Sequence, residues 1–588
     1  MKRNKNKNIA WIVVLSMLFV AWSCNDYEKY PADTYTLDYI FSPTDSVGHN
    51  ALDYLQYSIY RTMKNGHSRF DGNNGDYLDA ASDDAVTSAI SETEINRLQI
   101  GQYSAVTLVT SEMYWFDFYN SIRRATNFVN NIDVVPVLTT FGNGKSLLQA
   151  WKAEARFLRA YFYFELVKRY GGVPLMGDVL YETGDDVQFP RNSFEECVNF
   201  IVSELDAIKD NLRTLPLANP GADAHVATKE AALALKCKVL LYAASPLFNG
   251  QTLQAGNNLV GYTDYSAERW KKAADEAKAF INTFGPNGTD PKFQLISDFR
   301  DVFLNYYTNQ NKELIFFRNA SNARFIETKN GPVGFSGDNQ SNGRTSPTQQ
   351  LVDAFPMLDG KPISAPGKYP YNPINPYANR DPRLRYTILY NGSQWLNTTL
   401  ETFSGGISNP ESNTQKTKTS YYSRKFMGKF ETSNNYSNHV SIWQIFRYAE
   451  ILLNFAEAQN EYSGPSSDVY QAIIDLRKRA GIEAGDDNMY GLNANMTKEQ
   501  MREIIRNERR IEMAFEEHRF YDIRRWRIAE DIFSKPLTGR VIIKQSSGLE
   551  FNEIEVLNAP FQTRRYLHPI PYTEVIKNDN MVQNPGWE

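Results

Sequence analysis

Cysteine is scarce in this 588-residue chain: three residues, at positions 24, 197 and 237. Three thiols cannot build a disulfide framework, and no CxxC pair stands ready for zinc or redox chemistry. Histidine is nearly as sparse. The six, at 49, 67, 225, 439, 518 and 568, never approach metal-ligand spacing, and no HExxH occurs. Positive charge is in deficit: a formal net charge of −5 excludes a generally basic surface for nucleic acid. Phosphate-loop and serine-hydrolase motifs are missing as well. Gly144-Lys145-Ser146 mimics the end of a phosphate loop, but Thr139 stands where its first glycine belongs, so the backbone amides have no preset cradle. Gly334-Phe335-Ser336-Gly337 is one residue short of GxSxG. No cofactor and no metal are expected, and no enzyme activity.

What is present is globular and rich in rings. Hydrophobic residues make up 42% and charged residues 22%, a balance a disordered chain does not reach. Aromatics reach 13%, more ring surface than a core of this size needs, which hints at exposed aromatic platforms. The length exceeds what one compact core serves, so two packed domains or a helical repeat array are expected.

The N-terminus carries an address. Lys2, Arg3, Lys5 and Lys7 precede an apolar run from Ile9 to Val20, then Ala21, Trp22, Ser23 and Cys24. A basic head, a short apolar stretch and a small residue before a break describe a secretory signal peptide over residues 1–23. The run is too short for a membrane-spanning helix, which needs about 20 residues. Its last residues resemble a bacterial lipobox, in which Cys24 is lipidated (a palmitate-type anchor) and becomes the mature N-terminus. Removing residues 1–23 takes away four cations and no acid, shifting the formal charge from −5 to −9. Acyl chains contribute about 0.8 kcal/mol per buried CH₂, enough for several of them to hold the chain on one leaflet.

Helical periodicity dominates the rest and comes in pairs. Ala155, Leu158, Phe162, Leu166 and Tyr170 form one apolar stripe over Trp151–Tyr170, which Gly171, Gly172 and Pro174 terminate. Further helices are predicted over 45–64, 111–132, 193–212, 229–244, 266–283, 446–461, 469–480 and 498–532. Ser193 with Glu196 has capping-box spacing. The spacings approach those of tetratricopeptide helix pairs, whose stacking buries a continuous core. Between 285 and 441 the pattern changes: Gly, Asn, Pro, Ser and Thr accumulate, interrupted by rings such as Tyr307, Tyr369, Trp395 and Tyr421. Residues 66–103 share this character, with Asp71, Asn73, Asn74, Asp83 and Asp84. Segments this long and irregular are more often functional than idle.

Five stretches carry a family resemblance. Asn507-Glu508-Arg509-Arg510-Ile511-Glu512 through Asp522-Ile523-Arg524-Arg525-Trp526 resembles the signature helix of the SusD/RagB outer-membrane lipoproteins. Arg447-Tyr448-Ala449-Glu450 through Ala458, Asp381-Pro382-Arg383-Leu384, and Arg156-Phe157-Leu158-Arg159 through Leu175 fit the same pattern. So does the end of the chain, Tyr566-Leu567-His568-Pro569 and Gln583-Asn584-Pro585-Gly586-Trp587. The resemblance implies a mostly α fold: a tetratricopeptide-like helix-pair scaffold with long irregular ligand-binding loops. It implies an N-terminal helical region at 24–220 and a C-terminal region at 221–588 carrying the loop insertion at about 285–441. It further implies a cell-surface protein that captures oligosaccharides for a SusC-like TonB-dependent transporter. RagB-like members handle peptides, so peptide capture stays open, and a surface glycoside hydrolase is a more distant alternative.

The signature segment reads as scaffold. Seven arginines face six acids between Glu503 and Arg527, and Arg510–Glu517 and Glu512–Arg519 are one set of partners at near-helical spacing. Ligand chemistry is sought in the irregular segments instead. A sugar offers an apolar face to stack on a ring and a hydroxyl rim for Asp, Asn, Gln or Arg. Asp83 and Asp84 are expected as hydroxyl acceptors, Tyr103, Phe335, Trp395 and Tyr421 as platforms, and Arg344 as a donor. Adjacent carboxylates on an extended loop point oppositely, which makes Asp83–Asp84 a poor acid–base couple. Trp115, Trp151, Trp270, Trp443 and Trp526 are expected in the core.

Overall fold

The computed structural model describes residues 36–70, 75–142, 144–182, 184–218, 224–306, 310–318, 322–412 and 415–588. The expected leader 1–23 and Cys24 lie outside the described residues, as do Asp71, Asn73, Asn74 and Tyr307. The fold is mostly helical, as the periodicity predicts.

Nine helices of eight residues or more, among the described residues, make the scaffold: α1 (Trp115–Asn131), α2 (Leu147–Tyr170), α3 (Phe194–Ile208), α4 (Lys229–Ala244), α5 (Ala267–Phe284), α6 (Tyr448–Ser463), α7 (Ser467–Ala480), α8 (Lys498–Glu512) and α9 (His518–Arg525). Consecutive helices from α1 to α5 pack side by side, α5 rests on α6, and α6 is flanked by α7 and α8. That is the stacking of paired helices expected from the spacings. Local chemistry sets the starts. Ser193 and Glu196 close a capping box on α3, with Glu196 Oε2 accepting from the Ser193 amide at 2.7 Å. Thr228 caps α4, and Thr497 with Gln500 closes a second box on α8. Helix α2 sits at the centre and is buried nearly all round, including its whole predicted stripe. It stops at Gly171 in the left-handed region (φ 79°), where a Cβ would lie 2.3 Å from the Leu259 carbonyl oxygen.

Three predicted helices differ, the one over 111–132 being broken at Tyr114 (φ 42°) into Thr110–Met113 and Trp115–Asn131. Residues 45–64 form a short α-helix, His49–Asp53, then a π-turn, Tyr54–Ile59, and a 3₁₀ turn, Tyr60–Thr62. The extra residue of the π-turn keeps Leu55 and Ile59 in the core, and Tyr60 Oη reaches Glu154 Oε2 at 2.7 Å. The long helix expected over 498–532 breaks between Glu512 and His518, where Phe515 (φ 63°) and Glu517 (φ 61°) turn left-handed. Tertiary bonds hold that break: Asp79 Oδ1 accepts from the Phe515 amide at 3.1 Å, and Glu517 pairs with Arg69.

Short strands stitch the irregular segments to the scaffold. β1 (Ala85–Thr87), β2 (Leu314–Arg318), β3 (Thr345–Pro347) and β4 (Trp443–Arg447) form two antiparallel pairs, β1 with β3 and β2 with β4. The first pair, Ala85↔Pro347 to Thr87↔Thr345, ties the early loop to the late one. A hairpin absent from the sequence reading, β5 (Leu537–Gln545) with β6 (Gly548–Leu557), pairs from Leu537↔Leu557 to Gln545↔Gly548. One hydrophobic cluster runs from Ile40 to Trp587, drawing on both sides of the expected boundary near 220. Trp115, Trp151, Trp270, Trp443 and Trp526 are all buried, as expected.

Candidate functional site

Five of the seven expected ligand residues are structural. Asp83 and Asp84 are buried beneath the signature segment. Arg519 grips Asp83 with Nε to Oδ1 at 2.7 Å and Nη2 to Oδ2 at 2.8 Å, while Arg510 Nε reaches Asp84 Oδ1 at 2.6 Å. Burial raises the Asp83 pKa, but Arg510 and Arg519 outweigh it and hold the carboxyl below its ordinary range. These acids are anchors, and the same contacts replace the expected Arg510–Glu517 and Glu512–Arg519 pairs. Tyr103 is stacked on Trp587 at a centroid distance of 5.2 Å. Trp395 is 0% exposed and donates from Nε1 to Tyr436 Oη at 2.9 Å. Tyr421, equally enclosed, donates from Oη to Gln349 Oε1 at 2.7 Å. A segment without regular elements packs by burying rings and pairing their polar tips, which leaves these three no open face. Phe335 and Arg344 remain half-buried, Arg344 donating from Nη1 to Gln415 Oε1 at 3.3 Å. Asp83, Asp84, Arg344 and Tyr421 gather around β3, where Thr348 Oγ1 donates to the Asp83 carbonyl at 2.6 Å and Tyr421 reaches Gln349, but the two acids and the ring are buried there.

A polar cleft of about 520 Å³ opens elsewhere, where residues 61–69, residues 110–124 and Arg318 meet. Each wall follows from local structure. Helix α1 buries Trp115, Phe118, Ile122, Ala125 and Val129. Its opposite positions, Asp117, Asn120, Ser121 and Arg124, recur at i, i+3, i+4 and i+7 and line the cleft. The preceding turn, Thr110–Met113, is held by Glu94, whose carboxylate accepts from the amides of Thr110 and Ser111, each at 2.9 Å. Tyr114 then adopts the left-handed region (φ 42°), a strained conformation for a residue with a Cβ. The facing wall is seated by Gly66, which lies flat against Trp443: a Cβ there would sit 2.3 Å from the indole. Next to it, buried His67 bonds through Nε2 to the Ile442 carbonyl at 3.1 Å, and burial pulls its pKa down to about 4. Arg318, the last residue of β2, closes the rim.

Charge distinguishes this cleft. Lys64 lies 4.1 Å from the centroid of the Tyr114 ring and pairs with Asp117 at 2.6 Å. Arg69, beneath, is neutralised by Glu112 and Glu517. Arg61, Arg124 and Arg318 have no carboxylate at ion-pair distance among the described residues; their recorded polar contacts are backbone carbonyls, Arg124 to Ser58 at 3.2 Å and Arg318 to Arg61 at 3.4 Å. A larger cavity, about 670 Å³, lies between α6, α8 and the Trp526–Asp531 turn, but its four cations face four carboxylates. The cleft therefore offers unpaired donors for hydroxyl or anionic groups. No His or Cys is among its described lining residues, and its one carboxylate, Asp117, is engaged by Lys64. Among all described residues, no group of three His, Cys, Asp or Glu is placed to hold a metal ion. The cleft residues escaped the sequence reading because they come from three distant segments and, apart from Tyr114, carry no ring; the available signal is the polar i, i+3, i+4, i+7 stripe on α1.

Comparison with known proteins places the scaffold. A family model described as "SusD family" matches residues 310–587, and one described as "Starch-binding associating with outer membrane" matches residues 45–241. A SusD-like protein of Formosa agariphila is 23% identical over 500 residues, covering 84% of this chain and 83% of that protein. The crystal structure of a SusD-like protein from Bacteroides fragilis is 26% identical with a TM-score of 0.73, covering 94% of this chain and 100% of that chain. A SusD-like carbohydrate-binding protein from the same species shares the fold at 22% identity and a TM-score of 0.71, covering 91% and 99%. With both family models matching in order along a scaffold of this shape, the chain belongs to the SusD/RagB family.

Proposed function

We propose that this protein is a cell-surface lipoprotein, anchored through Cys24, that captures oligosaccharides in the Arg61–Arg124–Arg318 cleft and passes them to a SusC-like TonB-dependent transporter. The observation that carries the reading is the cleft itself: about 520 Å³, open, polar, and built from three chain segments held by buried ion pairs. Such a site suits a hydroxyl-rich ligand that is bound and released, since fixed donors recognise a rim of oxygens without reorganising. The "Starch-binding associating with outer membrane" description and the carbohydrate-binding relative point to the same ligand class and location. No helix among the described residues is long and apolar enough to cross a membrane. A lining whose single carboxylate pairs with a lysine suits binding, since a glycosidase needs two facing carboxylates.

Affinity electrophoresis of the mature chain through gels containing a panel of polysaccharides tests this. Retardation by at least one glycan, with no reducing sugar released, supports capture. Release of sugar moves the protein to the hydrolases, and binding of peptides alone favours RagB-like capture. For the anchor, Cys24→Ala should leave a folded protein that no longer sediments with membranes; unchanged membrane recovery contradicts lipidation.

A further inference from the structure

Resting on the reading of the cleft as a glycan site, we infer that its ligand is an acidic glycan, with a uronate carboxylate or a sulfate ester seated among Arg61, Arg124 and Arg318. The chain as a whole is acidic, with a formal charge of −5. A local excess of positive charge is therefore not a by-product of composition. Deep in the molecule arginine is answered either by carboxylates, two or more each at Arg383, Arg447, Arg479 and Arg525, or by backbone carbonyls, as at Arg191, Arg380 and Arg565. The cleft instead gathers three arginines, without a carboxylate among the described residues, around one open space.

Arg318 is the informative member. It is half-buried, its Nε is enclosed without a hydrogen-bond partner, and Nη2 donates only to the Arg61 carbonyl. Burial depresses its pKa, and the neighbouring Arg61 charge depresses it further. Two guanidinium groups beside one another, one partly stripped of water, are unfavourable until an anion arrives. A planar carboxylate or a sulfate oxygen pair answers the guanidinium fork with charge-assisted bonds, which a neutral hydroxyl does not. Lys64 stays committed to Asp117, so the three arginines supply the selectivity. Uronate and sulfate share this chemistry, and the assay below separates them.

The test uses the mature chain on affinity gels and by calorimetry, with polygalacturonate, a sulfated galactan, a neutral β-glucan and poly-glutamate as probes. Polygalacturonate or the sulfated galactan should bind most tightly, and whichever does so names the source of the anion. That affinity should fall as salt is raised to about 0.5 M, where the Debye length is only a few ångströms. Arg318→Gln should weaken the acidic glycan about tenfold or more, the loss expected for one charge-assisted hydrogen bond. Arg61→Gln and Arg124→Gln, at exposed positions, should each weaken it with unchanged melting temperature, so a folding defect in the Arg318 variant does not decide the matter. Arg123→Gln, on the same helix but paired with Glu182 at 3.1 Å, should change little. Equal binding of the neutral glucan, indifferent to all three substitutions, overturns the inference while leaving glycan capture intact. Poly-glutamate binding as tightly as the acidic glycan overturns it in favour of an acidic peptide. Failure of every glycan to bind removes the glycan reading and this inference together.

Discussion

Arg519 and Asp83 meet as a two-bonded fork inside the protein, and Arg510 joins them at 2.9 Å. Such pairs gain stability only while every member is present, because one left alone is a buried, unanswered charge. Arg519→Ala should therefore cost about 3–5 kcal/mol, visible as a large fall in melting temperature. Tyr103→Ala should likewise lower stability, by about 3–5 kcal/mol for a buried ring, yet leave ligand affinity unchanged in the folded fraction. An affinity loss there, without loss of stability, would return Tyr103 to the ligand site. Composition showed that the irregular segments hold Asp, Tyr and Trp in quantity. It did not show which way they face, since a chain without a period of 3.6 or 2 has no readable face.

Elements with a period were legible. The α2 stripe, the Ser193 capping box and the full span of α4 stand where periodicity and caps put them. The break after Glu512 did not, because its cause is distant in sequence: Asp79 and Arg69 bind the turn from the other end of the chain. Hairpin β5–β6 escaped notice because its strands are largely exposed and lack a strong apolar alternation. Half of the cleft is built from the same kind of distant contact, Gly66 on Trp443. Gly66→Ala should push the 61–69 wall off its seat, costing about 1–3 kcal/mol as overpacking. Ligand affinity should fall with it, measured by calorimetry on the folded variant. Unaltered affinity and melting temperature would mean the wall is not set by this contact.

At the scale of the whole molecule, the abundance of buried charge sets the response to acid. Burial alone would raise Glu457, but Arg525 pulls it down to about 2; Glu165 is likewise held at about 2, mainly by Lys168 and Arg169. His67 is lowered by burial to about 4. All three bind protons less readily folded than unfolded, so the unfolded state gains protons as pH falls and stability is lost. Melting temperature should begin to drop below the ordinary histidine value of 6.5 and fall more steeply from 4.5 towards 2 as the glutamates protonate. A flat profile from pH 7 to about 3 would contradict these environments.

The central claim, that glycan is captured in the cleft and not on the helical face, is most directly tested by hydrogen exchange of the mature chain with and without saturating polysaccharide. Protection confined to residues 61–69, 110–124 and the end of β2 is the predicted result. Protection at 246–251 and 498–506, with the cleft segments unchanged, would contradict it.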